Sequence, residues 1–213
     1  MEQTQKREEA TKMEKEQLVE NEKKEARENF GALLDLVFKR YESPNPFMAK
    51  DPEQIRVLKE HVIDVIDLCI ERRVEKGLDD KQLKMLEVAA ILHDLTKLDQ
   101  PSSEVIDIPN YMLAAHGELS AGKAGRIMEQ SPEVVETILG KNYSAEEKTQ
   151  TINVVVDAIK RHMGPHPGFM TFILEKVNAQ LREKGKSELK HPHPADGEVV
   201  SETLLAADML FFG

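Results

Sequence analysis

One doublet in the chain combines residue types that bind metal ions with a strongly apolar setting. His93 and Asp94 follow Leu92 directly, at the end of the segment AAILHDLTKLD, whose pattern is that of the most apolar helix in the chain. An ionised carboxylate beside an imidazole is costly to bury without a partner, and a metal cation is one of the few partners that offset this cost. The doublet therefore predicts a metal site at the end of a buried helix.

Four further residues of the same types lie on or at the end of other predicted helices. They are His61, His116, His162 and Asp208. Helical bundles build metal sites in this way, because facing helices each project a ligand into the core. Imidazole and carboxylate ligands without a thiolate suit Mn, Fe, Co, Ni or Zn.

Six ligands exceed what one catalytic ion with open positions needs, so we expect two divalent ions. Ions about 3.5–4 Å apart could share Asp94 as a bridging carboxylate and lower the pKa of a bridging water toward neutrality. The product would be a hydroxide nucleophile.

The helices that must position these side chains fall within one expected domain. Residues 1–29 are rich in Glu, Lys, Gln and Arg and predict a charged helical extension, either a passive linker or an arm that binds a partner. An apolar stripe at helical spacing begins at Phe30, which predicts a folded domain over residues 30–213. A chain of 213 residues can bury one substantial core.

Start signals divide this domain into helices, and no segment alternates with the period of a strand. The start signals are Asp51–Pro52, Asp79–Asp80 and the Ser144–Glu147 capping box. The helix after Pro52 is expected to end near Gly77. Three glycines are expected to leave room for close packing of the helix that carries His116: Gly117, Gly122 and Gly125. The expected fold class is all-α.

Composition excludes several classes of function. The formal charge of -10 and the sequence pI near 5.3 argue against binding to a nucleic acid polymer. No signal-like or membrane-spanning apolar run is present, so we expect no membrane association and a cytoplasmic location. The single cysteine, Cys69, lies in an apolar stripe and is expected to be a buried thiol rather than a nucleophile.

The order His61, then His93–Asp94, then Asp208 resembles the HD-domain superfamily of metal-dependent phosphohydrolases. The likeness covers roughly residues 50–213 and includes the blocks AIKRH and LLAAD. His116 and His162 resemble additional ligands of the branches that hold two metals. The resemblance implies a helical bundle with His61, His93, Asp94 and Asp208 around one ion, and with Asp94, His116 and His162 around the second.

The resemblance also implies a reaction. The expected activity is hydrolysis of a phosphoester or phosphoanhydride, with a nucleotide as substrate, Asp94 and Lys97 as catalytic residues, and Mn, Fe, Co, Ni, Mg or Zn as the metal. Lys97 matches the lysine of the HD-x-G-K pattern, whereas Thr96 stands where glycine is usual. Arg161 and His166 are further candidates for binding the substrate, Lys123 is a possible helper, and a homo-oligomer is possible.

Two alternatives use the same residues for other purposes. Some helical proteins that resemble this superfamily hold a mixed-valent di-iron pair and use dioxygen, and other members bind a nucleotide without turnover. The segment GELSAGKA approaches a phosphate-binding loop, but Ala124 replaces the hydroxyl residue that holds magnesium. His191 and His193 lie between prolines in a polar loop and are expected to be exposed to solvent.

Overall fold

The computed structural model describes residues 2–43, 51–164, 169–194 and 197–209. Every regular element in these ranges is a helix, which confirms the all-α fold class. The helices are α1 (Glu2–Asn29), α2 (Gly31–Glu42), α3 (Pro52–Glu71), α4 (Arg73–Lys76), α5 (Asp80–Leu92), α6 (Tyr111–Gln130), α7 (Pro132–Leu139), α8 (Ala145–Arg161), α9 (Phe169–Glu183) and α10 (Val199–Met209). Helix α7 was not predicted from the sequence.

Helix α5 lies at the centre of the domain. It packs against α3, α8 and α10, and each of its residues from Met85 to Leu92 is buried. Because α5 is apolar on almost every side, it can be covered all round by other helices. The helix ends at Leu92, and His93 is its C-terminal capping residue.

The predicted start signals are present as hydrogen-bonded caps. The Asp51 side chain accepts a hydrogen bond from the Glu53 backbone at 2.9 Å. Capping boxes begin α5, at Asp79 and Gln82, and α8, at Ser144 and Glu147. Helix α3 ends at Glu71, earlier than predicted, because the chain turns into the short α4 before it reaches Gly77.

The three glycines of α6 differ in what surrounds them. A Cβ atom at Gly117 would lie 2.7 Å from Met163 Cγ, and one at Gly125 would lie 3.3 Å from Val156 Cγ2. A Cβ atom at Gly122 would meet nothing within 4 Å. The expectation of close packing is therefore wrong for Gly122, which lies on the exposed face of the helix.

Helix α1 contacts the rest of the chain through its C-terminal third. Ala26 is buried, and ion pairs join Lys23 to Glu71 at 2.8 Å and Arg27 to Asp67 at 2.8 Å. The boundary between an extension and a domain at residues 29 and 30 stays a prediction. None of the described helices is long and apolar enough to cross a membrane.

A smaller apolar cluster flanks the start of α6. Its buried members come from the segment before α6, from α6 itself and from α9: Val105, Ile108, Ala114, Ile173, Val177 and Leu181. The Asn178 side chain holds the backbone of Leu189 with two hydrogen bonds of 3.0 and 2.8 Å. These contacts fix the polar segment after α9 beside the helix that carries His116.

Candidate metal centre

Six side chains from five parts of the fold meet inside the domain. His61 comes from α3, His93 and Asp94 follow α5, His116 lies on α6, His162 follows α8, and Asp208 lies on α10. His93, Asp94 and His162 are fully buried, and His116 and Asp208 are 2% and 3% exposed. The His61 side chain is 10% exposed.

The first group of side chains surrounds Oδ2 of Asp94. The Nε2 atom of His61 lies 3.4 Å from this oxygen and 3.1 Å from Nε2 of His93. His93 Nε2 lies 3.5 Å from the same oxygen. Asp208 closes the group, because its Oδ1 lies 3.1 Å from His61 Nε2 and 3.7 Å from His93 Nε2.

The second group surrounds the other oxygen of the same carboxylate. His116 Nε2 lies 3.0 Å and His162 Nε2 lies 3.9 Å from Oδ1 of Asp94. The two ring nitrogens are 3.3 Å apart. Asp94 therefore contributes one oxygen to each group, and the spacing of both groups suits a metal ion.

Hydrogen bonds at the far side of each ring determine which nitrogen faces the centre as an acceptor. In three of the four histidines, Nδ1 donates to a carbonyl three residues earlier in the chain. These bonds join His93 to Ala90 at 2.7 Å, His116 to Leu113 at 2.8 Å and His162 to Ile159 at 2.5 Å. A neutral imidazole with a protonated Nδ1 has a lone pair on Nε2, which is the form that binds metal.

This arrangement leaves acceptors facing acceptors. The Nε2 lone pairs of His116 and His162 point toward each other and toward Oδ1 of Asp94 without a donor between them. Oδ1 of Asp94 and Oδ1 of Asp208 are buried, and neither accepts a hydrogen bond from any residue that the structure describes. A buried set of converging lone pairs is stable only with a cation among them, so the donor set fits divalent metal ions.

The charge states of the two carboxylates agree with this fit. Burial acts to raise the pKa of Asp94, but the neighbouring His93 and Lys97 outweigh it and hold the pKa well below its usual range. Burial opposes ionisation of Asp208 too, yet the neighbouring His61 and His93 outweigh it and hold the pKa of Asp208 well below the usual range. Both carboxylates are therefore ionised at neutral pH.

The histidines at the two ends of the cluster differ in charge. Burial lowers the pKa of His162 to about 3, so its ring is neutral at pH 7. Burial also disfavours a charged His61, but the nearby carboxylates of Asp208 and Asp94 outweigh this effect and raise the pKa of His61 to about 9. In the metal-free protein, a proton on His61 takes part of the role that a cation fills.

Comparison with known families agrees with this geometry. The model of the HD domain matches residues 58–192, which is more than half of the chain. The chain belongs to the HD-domain family. No curated protein and no solved structure matches the chain.

Membership in the HD-domain family places the chain in an all-α superfamily of metal-dependent hydrolases. Five of the six converging side chains lie inside the region that matches the HD domain, and Asp208 lies beyond its C-terminal end. The individual roles of the six residues stay predictions from the sequence. In the fold, α10 carries Asp208 back to the doublet.

Lys97 reaches the centre although Thr96 occupies the glycine position of the HD-x-G-K pattern. Its Nζ lies 2.6 Å from Oδ2 of Asp94, and its side chain is 21% exposed. The buried Thr96 faces α6, where its backbone N–H donates to Ser120 Oγ at 3.1 Å and its hydroxyl donates to the His116 carbonyl at 3.2 Å. Thr96 therefore joins the turn after the doublet to the helix that carries His116.

The other predicted substrate-binding residues have different surroundings. Arg161 forms ion pairs with Asp157 at 2.6 Å and with Glu198 at 3.6 Å, and it donates to the His193 carbonyl. Its role in substrate binding stays a prediction. His166 lies outside the described residues.

The remaining sequence candidates are explained by the fold. GELSAGKA lies within α6, so it forms no phosphate-binding loop. Cys69 is buried, and burial raises the pKa of its thiol, as expected for an inert side chain. His193 is exposed as predicted, but His191 is half-buried, because its Nε2 donates to the Ala114 carbonyl at 2.7 Å.

Sequence reasoning missed the contribution of Ser120. Its hydroxyl lies 3.0 Å from that of Thr96, and both residues are buried. Ser120 lies four positions after His116, on the same face of α6, so helical spacing could have identified it. Its pairing with the turn after α5 depends on how the two helices pack.

Proposed function

We propose that the chain is a metal-dependent phosphohydrolase that cleaves a phosphoester or phosphoanhydride bond of a small molecule, with a nucleotide as the favoured substrate class. The observation that carries the proposal is the division of the Asp94 carboxylate between two groups of imidazole nitrogens. Membership in the HD-domain family supports metal-dependent hydrolysis as the reaction class.

In this proposal, His61, His93, Asp94 and Asp208 hold one divalent ion, and Asp94, His116 and His162 hold a second. When bound, such ions supply Lewis-acid charge for phosphoryl oxygens and lower the pKa of a water molecule. The ionised state of both aspartates and the neutral state of His162 suit this role, because metal ligands must be deprotonated.

In this proposal, Lys97 contacts the substrate. It is the most exposed of the charged side chains in contact with Asp94, and its ammonium lies at the edge of the cluster. A cation in this place can hold a phosphate oxygen while the leaving group departs. The buried remainder of the site excludes water, which strengthens electrostatic interactions there.

The net charge of -10 means that attraction of an anionic substrate must be local. Lys97 and the bound cations are the positive charges at the centre itself. A local positive field is enough to attract a small phosphate compound, whereas a nucleic acid polymer requires an extended basic surface.

The proposal is tested with the metal-stripped full chain, reloaded with Mn, Mg, Co or Ni and supplied with a panel of nucleotides and simple phosphoesters. We expect phosphate release that depends on the metal. Asp94→Ala should abolish metal loading and hydrolysis together, because both ligand groups lose their shared oxygen. Lys97→Met should keep the metal but lower kcat by about 100-fold, the typical effect of losing one group that stabilises developing charge.

Lys141→Met, which changes an exposed lysine after α7, is the matched control and should keep both metal and activity. Undiminished hydrolysis by metal-stripped Asp94→Ala would contradict the proposal. Oxygen consumption by an iron-loaded sample, without phosphate release from any compound in the panel, would also contradict it.

A further inference from the structure

A cleft lined by basic side chains lies next to the metal centre. A cleft of about 490 Å³ separates the C-terminal half of α2 from that of α6, with Leu95 in its lining, and we call it the α2–α6 cleft. Among the described residues that line it, all the charged ones are basic: Lys39, Arg40, Lys123 and Arg126. None of the six candidate metal ligands lines this cleft.

The positive charge of the cleft is only partly neutralised. Asp99 pairs with two of the four cations, at 2.7 Å from Arg40 Nη2 and 2.5 Å from Lys123 Nζ. Lys39 and Arg126 are exposed and form no ion pair with any described residue. Four cations around one carboxylate produce a local positive field in a chain whose net charge is -10.

The shape and chemistry of the cleft suit one class of ligand. Arginine binds phosphate through two parallel N–H groups, and lysine adds a mobile point charge. Leu36, Leu95 and Ile127 supply an apolar lining for an uncharged part of the molecule. The volume lies in the range of roughly 300–1,000 Å³ that is typical of small-molecule sites.

We propose that the α2–α6 cleft binds a small molecule with two or more phosphate groups, at a site separate from the metal centre. Two phosphate groups match the two cations that have no carboxylate partner among the described residues, and the two that share Asp99. The proposal does not depend on hydrolysis at the metal centre, because binding to the cleft can be measured without metal.

Binding in the cleft is coupled to the turn that carries the doublet. Leu95 follows Asp94, and its carbonyl accepts a hydrogen bond from Arg40 Nε at 3.2 Å. The Asp99 backbone N–H donates to the Thr96 carbonyl at 2.9 Å, which closes the same turn. An anion that draws Arg40 away from Asp99 therefore also disturbs the hydrogen bond from Arg40 to the Leu95 carbonyl, beside Asp94.

The test measures binding of inorganic tripolyphosphate to the metal-stripped full chain by isothermal titration calorimetry. Lys39→Glu combined with Arg126→Glu should weaken binding at least tenfold. Both residues are exposed, so we expect this variant to keep the circular dichroism spectrum of the parent. Lys24→Glu combined with Lys141→Glu makes the same change in net charge at exposed positions outside the cleft, and should change the affinity less than twofold.

Three results would overturn the proposal. The first is absence of binding at millimolar tripolyphosphate. The second is equal weakening in the cleft variant and the control variant, which would indicate an effect of net charge alone. The third is loss of binding in Lys97→Met with full binding in the cleft variant, which would place the phosphate at the metal centre. If the cleft variant loses its helical spectrum, Lys39→Ala combined with Arg126→Ala replaces it and must weaken binding at least threefold.

Discussion

Gly117 lies directly after His116 on α6 and faces the ring of His162. An added Cβ would lie 3.3 Å from Cε1 of that ring as well as 2.7 Å from Met163 Cγ, and both neighbours are buried. Neither neighbour can move away easily, because protein cores are closely packed. The absence of a side chain at Gly117 is therefore what allows α6 and the end of α8 to bring His116 and His162 together.

Gly117→Ala should consequently destabilise the fold and displace a candidate ligand. We expect the free energy of unfolding to fall by about 1–3 kcal/mol, the usual range for overpacking. Cobalt affinity, followed by equilibrium dialysis, should fall as His162 shifts. Gly122→Ala, on the exposed face of the same helix, should instead stabilise by about 0.5–1 kcal/mol. Equal cobalt affinity in both variants would exclude this role for Gly117.

Among the helices, α5 buries a carboxyl group whose pKa is influenced by acidic residues of α1. Glu87 is 4% exposed and makes no hydrogen bond or ion pair with any described residue. Burial raises its pKa to about 8, and Glu25 and Glu22 of α1 add to the shift, whereas Lys84 and Arg73 act against it. In the folded protein, Glu87 is therefore mostly protonated at neutral pH.

This pKa makes the stability of the fold sensitive to pH. The folded pKa lies above the ordinary value of 4.5, so the folded state binds more protons than the unfolded state between these values. The stability from Glu87 is fully present below pH 4.5 and is lost as the pH rises through 8. Between pH 6 and pH 9 the loss should be on the order of 3 kcal/mol.

Glu87→Gln should remove this dependence, because the amide stays neutral. Urea unfolding at pH 6 and pH 9 should show a smaller difference for Glu87→Gln than for the parent chain. Glu136→Gln, an exposed position on α7, should keep the parent's difference. A Glu87→Gln variant that loses as much stability as the parent between the two pH values would refute the assignment.

For the whole molecule, the candidate ligands join five parts of the fold that are distant in the chain. They come from α3, the end of α5, α6, the end of α8, and α10, so bound ions would cross-link nearly the entire helical core. Ligands that bind only the folded state stabilise it by about 2.7 kcal/mol at 100 times their Kd. Metal loading should therefore raise stability throughout the domain.

The expected result is a Tm that rises by several degrees when Mn, Co or Zn is added to metal-stripped protein and falls again with a chelator. His162→Ala should reduce this shift, because the second ligand group loses a nitrogen. His193→Ala, which alters an exposed histidine, should keep it. An unchanged Tm with every metal would contradict the metal centre itself.

Helix positions and candidate ligands followed from local sequence signals. The caps at Asp51, Asp79 and Ser144 satisfy backbone groups within a few residues, and an apolar stripe identifies the face of a helix that must be buried. The apolar segment before His93–Asp94 is also a local signal, and it predicted a metal site at the buried end of α5. The resemblance to the HD-domain family added the expectation of which ligands surround each of the two ions.

Tertiary structure alone decided which distant groups meet. The link from Thr96 to Ser120 and the close approach at Gly117 depend on how α5, α6 and α8 pack. The α2–α6 cleft likewise joins cations about 80 positions apart in the chain, which no local pattern connects. The sequence by itself determined which residues face the core, because helical periodicity is local, whereas their partners depend on packing between helices.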